Sequence, residues 1–359
     1  MANSLEGMAM HDFNDPDFRR LIELTNQTYS GQEIADANYL TWEYHLNPDG
    51  QSIIFVAEDQ GKIVSQYLVL PRTYKIRDEK VKGSLSVNTL THPNYRGKSL
   101  FPKLAELTYA KCRETEIAFT AGFPNPLSSP VFSGKLNFHS LGSVPFFVKP
   151  LRPFRSLRKY LNSSGTKRGK EPVLNFSDSA KAGALKISRF NLQDVKKYEE
   201  FHSRFLRDKM NCAERSFDFL KWRYIDIPLR DYHLFKIESD KGIQAIVIVR
   251  SAELFGLKTM IIMELLYTND ADSKKAAGSL LSWLRNQSVS NAMDLMVIAR
   301  QHSSAGKLRL FFHGFLPVPT NFLPQPLEFI LRIHSENVKK TGFFDMKKWY
   351  LSFGDSDVF

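Results

Sequence analysis

Ser84-Leu85-Ser86-Val87-Asn88-Thr89-Leu90-Thr91-His92-Pro93-Asn94-Tyr95-Arg96-Gly97-Lys98-Ser99-Leu100 is the stretch that decides the fold. Its first eight residues alternate small polar and apolar side chains, the period of a β-strand. A tight Arg96-Gly97-Lys98-Ser99 turn follows. From Leu100 to Cys112 the residues Leu100, Leu104 and Leu107 recur about once per helical turn. A strand, a glycine turn and a helix start, in that order, aim several backbone N–H groups and the positive end of a helix dipole at one point. That geometry suits a pyrophosphate. Read for structure alone, the same run is a surface strand-to-helix turn with two basic side chains.

The segment His92–Leu100 resembles the acyl-CoA loop of the GCN5-related N-acetyltransferases (GNAT). Their loop reads Gln/Arg-x-x-Gly-x-Gly/Ala and usually follows a strand ending in Val-x-Pro. Here it reads Asn94-Tyr95-Arg96-Gly97-Lys98-Ser99. Gly97 holds the central position, Asn94 replaces Gln or Arg, and Ser99 replaces the last small residue. The resemblance implies an α/β fold whose mixed sheet is splayed in the middle to admit a pantetheine arm. It implies acetyl-CoA, or another short acyl-CoA, as co-substrate. The implied reaction is N-acetyl transfer to a primary amine by direct attack in a ternary complex. On this likeness Thr89, Leu90 and Thr91 pair through their backbone with the pantetheine amides, and Arg96, Gly97, Lys98, Ser99 and Leu100 hold the pyrophosphate. Asn125 lies where the family often has an Asn bonding the pantetheine, although beside Pro124 and Pro126 it is also an ordinary turn residue. Phe132–Phe138 resembles the family's Tyr-x-x-x-Gly-Phe, with Ser133 at the place of the acidic Tyr and Asn137 at that of the Gly.

Acyl transfer from a thioester to an amine requires a polarised carbonyl, an amine that loses a proton and a thiolate that gains one. Glu33, after the first helix, is the best carboxylate candidate for the amine. Strand alternation places Ser84, Ser86 and Asn88 on one face, either lining an acceptor pocket or facing solvent. No carboxylate stands among them, so a base there acts through a relayed water. Ser133 marks the position of the general acid. Tyr39 and Trp42 either wall the acceptor cleft or pack in a core. His92 and His139 titrate near neutral pH, yet His92 sits where the family commonly has a noncatalytic His. Cys112 lacks a partnered base and reads as a packing residue. No metal-ligand spacing is found.

A chain of 359 residues suits two domains, and its formal charge of +11 permits acidic partners. No aromatic-basic nucleic-acid motif is present. Cys112 and Cys212 are too few and too far apart for a disulfide framework. The N-terminus lacks a signal-peptide pattern and no apolar run reaches membrane-spanning length. A cytoplasmic protein acting on a small-molecule amine is the expectation; oligomeric assembly is left open.

Asp15-Pro16 opens a helix to about Ser30, with Gly31 as its stop. Strands are expected at Ser52–Glu58, Ile63–Leu70, Ile117–Ala121 and Val144–Val148. Residues 1–150 then form a GNAT-like acyl-CoA-binding domain, and 151–181 a basic polar linker. Residues 182–359 form a second, degenerate GNAT-like domain. A repeat is read from a few matched positions: Trp42-Glu43-Tyr44 with Trp222-Arg223-Tyr224, and Asp59-Gln60-Gly61 with Asp240-Lys241-Gly242. In the second copy Asp270 and Asp272 stand where the phosphate loop would be and oppose an anion. Two other readings remain open: a noncatalytic CoA-type binding or scaffold protein, and a tandem-fold aminoacyl transferase that uses charged tRNA.

Overall fold

The computed structural model describes residues 8–29, 33–153, 155, 171–302, 308–323, 325–339 and 341–356. The chain forms two compact units, and neither is a continuous run. One comprises Met1–Gly142, Ala213–Arg230 and Leu327–Met346. The other comprises Ser143–Cys212, Asp231–Pro326 and Lys347–Phe359.

The first unit opens with β1 (Ala9–Asp12), α1 (Arg19–Thr28), α2 (Ala37–Leu40) and a π-helical turn at Thr41–His45. The strands β2 (Ile53–Asp59), β3 (Lys62–Ile76) and β4 (Glu79–Thr91) form an antiparallel meander. Gln60 (φ 50°) and Gly61 (φ 77°) both take positive φ in the β2–β3 turn, as a two-residue hairpin loop demands. Next come α3 (Leu100–Glu114), β5 (Phe119–Gly122), α4 (Ser129–Lys135) and β6 (His139–Ser143). Helix α3 buries Leu100, Leu104, Ala105, Thr108, Tyr109 and Cys112, packing on Ala57, Val64, Tyr67 and Val69. Leu107, counted on the apolar stripe from its spacing, is instead exposed.

Helix α1 starts later than its sequence signals imply. Asp15 accepts from the Asp17 N–H, and Asp17 from the Arg19 N–H, so the acids wind the preceding turn. The expected stop at Gly31 lies outside the described residues.

The second unit holds β7 (Phe146–Pro150), β8 (Ser179–Ala182), β9 (Leu185–Arg189) and α5 (Val195–Arg207). A short strand, β10 (Asn211–Ala213), then leads into α6 (Phe217–Tyr224) of the first unit. The second sheet continues with β11 (His233–Ser239), β12 (Gly242–Leu254) and β13 (Leu257–Tyr267), then α7 (Ala271–Ser290) and β14 (Leu295–Gln301). Strands β11–β14 retrace β2–β5: the register slips at Ile237/Glu238 as it does at Ala57/Glu58, and β13 pairs β14 in parallel as β4 pairs β5. The remaining strands are β15 (Leu316–Val318), β16 (Glu328–Ile333) and β17 (Leu351–Ser352). The result is a mixed α/β protein with two mixed sheets, ordered β1-β2-β3-β4-β5-β16-β6 and β15-β7-β14-β13-β12-β11-β9-β8.

The halves exchange strands. Val144–Val148 was expected to close the first sheet, but β7 pairs with β14 of the second. The first sheet receives β16 from the far end of the chain, antiparallel to β5. The basic run from Arg158 to Lys170 lies outside the described residues. Beyond it the chain is docked: Leu174 is buried in the second core, and the Asn175 N–H donates to Asn291 Oδ1 (2.7 Å).

At the end of β16, His334 sits beside Tyr109 and shares a 2.8 Å hydrogen bond with the Thr120 hydroxyl. Burial, reinforced by Arg332 and Arg113, drives its pKa from 6.5 to about 3. The folded protein therefore keeps this imidazole neutral where the unfolded chain protonates it. Its contribution to stability is full above pH 6.5 and is lost as pH falls toward about 3, at up to about 1.4 kcal/mol per pH unit. Urea unfolding at about pH 7 and about pH 4.5 should show this loss, with a shallower pH dependence in His334→Gln; equal slopes would contradict it.

Candidate functional site

Strands β4 and β5 pair only from Ser84 opposite Thr120 to Ser86 opposite Gly122. Beyond that point they part, and the stretch Val87–Thr91 keeps only its β3 neighbour among the pairings of β4. At the same place the β3–β4 register slips, and Asn88 takes φ 48°. This is a β-bulge, which re-aims a side chain and ends regular pairing. Ser84 and Ser86 do not share a polar cleft with Asn88. Ser84 is buried against the Thr120 hydroxyl (2.8 Å) and Cys112, and Ser86 is bonded to Tyr67 in the core under α3. Asn88 leaves that row.

Its amide donates to Glu43 Oε2 (2.6 Å) and to the Tyr44 hydroxyl (3.1 Å), while Gln66 Nε2 donates to the Asn88 carbonyl (2.9 Å). Glu43 is 3% exposed and Tyr44 is fully buried. Burial and the neighbouring Glu43 carboxylate hold the Tyr44 phenol well above its ordinary pKa. Both residues belong to the π-helical turn at Thr41–His45, a rare geometry frequent at functional sites. Glu43 was not singled out from the sequence. The signal was the triplet Trp42-Glu43-Tyr44, whose repeat carries Arg223 at the matching position.

Glu33 lies close by in a different role. Arg230 Nε donates to Glu33 Oε1 (2.7 Å), and its terminal nitrogen donates to Oε2. The Arg230 side chain is 4% exposed, so the two-point pair serves to neutralise a buried guanidinium. Tyr39 is buried among these charges. Burial and Glu43 raise its pKa well above 10.0, and Arg230 and Arg223 pull it back. Trp42 stacks on Trp222 with centroids 4.7 Å apart.

The loop after β4 is stapled down. The Tyr95 hydroxyl donates to Asp59 Oδ2 (2.6 Å) in the β2–β3 turn, the Asn94 N–H donates to His92 Nδ1, and Lys98 Nζ lies 4.8 Å from the Tyr95 ring centre. Gly97 has φ 81°, and a Cβ there would meet nothing within 4 Å, so the backbone angle alone asks for glycine. Ser99, at φ 56°, begins α3 without a side-chain cap, and the first turn carries no acid. Pro102 supplies no N–H, and the N–H groups at the start of such a helix lack intrahelical partners. Arg96, Gly97 and Ser99 are exposed. An anion can reach this helix end unopposed.

Two expected site residues are placed otherwise engaged. Asn125 Oδ1 accepts from the Leu127 (3.0 Å) and Ser128 (2.9 Å) N–H groups, shaping the entry to α4. The exposed Ser133 hydroxyl donates to the Ser129 carbonyl (3.0 Å). Cys112 is fully buried, its thiol pushed up to about 12 by burial.

The second unit answers the same topology differently. Pairing of β13 with β14 ends at Ile262 opposite Ile298, and β17 then adds to β14 with Arg300 opposite Ser352. The Tyr350 hydroxyl lies 3.4 Å from the Leu265 carbonyl. The gap is thus filled by the chain itself. At the start of α7, Asp270 Oδ1 accepts from the Ser273 N–H (2.8 Å), and Asp272 pairs with Lys241 (3.1 Å).

The splayed mixed sheet of the first unit, with an uncapped helix end beyond the splay, has the GNAT class of fold, and the second unit repeats its strand topology with the splay filled and the helix end capped. Residues 10–140 match the acetyltransferase (GNAT) domain family. The fold is similar to that of the Saccharomyces cerevisiae N-myristoyltransferase solved with bound myristoyl-CoA. That match has 14% identity, covers 91% of this chain and 79% of that one, and has a TM-score of 0.59. A GCN5-related N-acetyltransferase from Anabaena variabilis matches at 12% identity, with 91% and 73% coverage and a TM-score of 0.62. A probable N-acyltransferase from Enterococcus faecalis matches at 12% identity, with 92% and 74% coverage and a TM-score of 0.63. No curated protein matches the chain in sequence. Among the described residues no helix is long and apolar enough to cross a membrane.

Removing one partner of a buried ion pair leaves the other charge uncompensated. Glu33→Gln should therefore lower stability by about 3 kcal/mol, read as a lower urea midpoint. A variant as stable as the wild type would show that the pair with Arg230 adds no net stability.

Proposed function

We propose that this protein is an acyl-CoA-dependent N-acyltransferase, with acetyl-CoA or another short acyl-CoA as donor and a small primary amine as acceptor. One observation carries the reading: in the first unit the open edge of β4 runs directly to an uncapped helix end flanked by Arg96 and Lys98. The backbone of Thr89, Leu90 and Thr91 would pair with the amides of the pantetheine arm. The N–H groups of Gly97, Lys98, Ser99 and Leu100 would receive the pyrophosphate, with Arg96 and Lys98 adding charge. Asn125, its oxygen already engaged, would contribute at most its amide N–H groups.

The amine nitrogen attacks the thioester carbonyl carbon, the carbon–sulfur bond breaks, and the leaving thiolate takes a proton from solvent. The amine must shed a proton on the way. We assign that proton to Glu43, directly or through a water, because this carboxylate abuts Asn88 at the bulge. Asn88 is then a positioning residue that orients the carboxylate. A specific observation favours a second reading, ligand binding without turnover. Ser133, at the place of the general acid, carries no phenol and spends its hydroxyl on α4.

Calorimetric titration with acetyl-CoA tests the donor site. Wild type should bind and Gly97→Glu should not, since the new carboxylate would stand at the phosphate position. Wild type that fails to bind would move the weight to a longer acyl donor, or to a charged-tRNA donor with salt-sensitive RNA binding. In an amine screen followed by thiol release, Glu43→Gln should lower kcat by about 10²- to 10⁴-fold while donor affinity stays unchanged. Donor binding with no thiol release for any amine would favour the second reading.

A further inference from the structure

Away from the proposed donor site, the second unit holds a cavity of about 600 Å³ along α7, within the size range of small-ligand sites. Lys274 and Lys275 reach it from α7 and Lys181 from β8. His313 and Trp283 complete the part that matters here, and no carboxylate lines it. None of the three lysines has an ion-pair partner among the described residues, whereas Lys241 is paired with Asp272 of the same helix at 3.1 Å. Three like charges around one concavity repel each other and concentrate a positive field there. A bound anion would relieve that repulsion.

The wall of the cavity is shaped around the imidazole. A Cβ at Gly278 would come within 2.8 Å of His313 Cε1, so a glycine inside α7 lets the ring lie against the helix. A mid-helix glycine costs about 1 kcal/mol relative to alanine, and nothing else near Gly278 requires one. The His313 carbonyl accepts from Lys149 Nζ (2.6 Å), which fixes the loop. Burial and Lys149 hold the imidazole below its ordinary pKa. It therefore stands neutral at pH 7, one nitrogen a donor and the other an acceptor. The Trp283 indole N–H is buried without a partner among the described residues.

We propose that this cavity binds a phosphorylated small molecule of about mononucleotide size, at a site separate from the acyl-donor site. A phosphate group is opposite in charge to the three lysines and offers them three oxygen acceptors, and the neutral imidazole can bond a hydroxyl or ring nitrogen beside it.

Calorimetric titration with ADP in the Gly97→Glu background removes any contribution from the donor loop. One-site binding is expected there. It should weaken by about tenfold or more when Lys274→Glu and Lys275→Glu are added, and by less with Lys275→Ala alone. Both lysines are surface residues, and unchanged circular dichroism would show that the variants are folded. Absence of ADP binding would overturn the proposal. So would binding indifferent to the lysine changes, inorganic phosphate bound as tightly as ADP, or an oligonucleotide bound in place of ADP.

Discussion

The parting of β4 from β5 after Ser86 and Gly122 is the constraint on which the rest of the first unit depends. Parallel strands pair through evenly spaced hydrogen bonds, and an extra residue on one strand breaks that spacing. The residue at the break is Asn88, held at φ 48° by Glu43, Tyr44 and Gln66. Backbone groups past the break must find other partners. The edge from Val87 to Thr91 is therefore a row of donors and acceptors that an extended arm bearing amides can match. The loop His92–Ser99, tied to Asp59 through Tyr95, carries that row to the start of α3.

The second unit meets the same constraint and resolves it within the chain. The parting of β13 from β14 is covered by Tyr350 and β17, and its helix start is capped by Asp270. Burial raises the Asp270 pKa, but the Thr268 hydroxyl and the Ser273 N–H outweigh it and leave the carboxyl below its usual range. An acid that stays ionised at a helix N-terminus satisfies both the dipole and the free N–H groups. Two copies of one topology thus differ in whether the splay and the helix end are left unsatisfied. Only the first leaves both.

The decisive run was legible because it combines short-range signals: alternation in β4, glycine at positive φ and an amphipathic α3. The strand exchange was not, because β7 and β16 have ordinary strand sequences and nothing local specifies which sheet they join. Strand alternation also misplaced Asn88 beside Ser84 and Ser86, since a bulge flips the parity of everything beyond it and leaves no mark in composition. Glu33 looked available because its partner Arg230 lies far along the chain. Glu43 entered only as the middle of a repeated triplet, and nothing local shows that a π-helical turn buries it.

The repeated triplets are alike in packing and opposite in charge. Trp42 and Trp222 stack, and each indole N–H donates to the other's backbone carbonyl, at 2.8 and 2.9 Å. Reciprocal bonds of this kind are those of a two-fold axis, in which each partner offers the other the same surface. The residue that follows each tryptophan breaks the symmetry, with a carboxylate at Glu43 and a guanidinium at Arg223. Both are buried in the first unit, and both act on Tyr39. Two identical charges here would bury like charges near one tyrosine. Opposite charges leave the tryptophan pair intact and place a carboxylate beside Asn88 at the bulge.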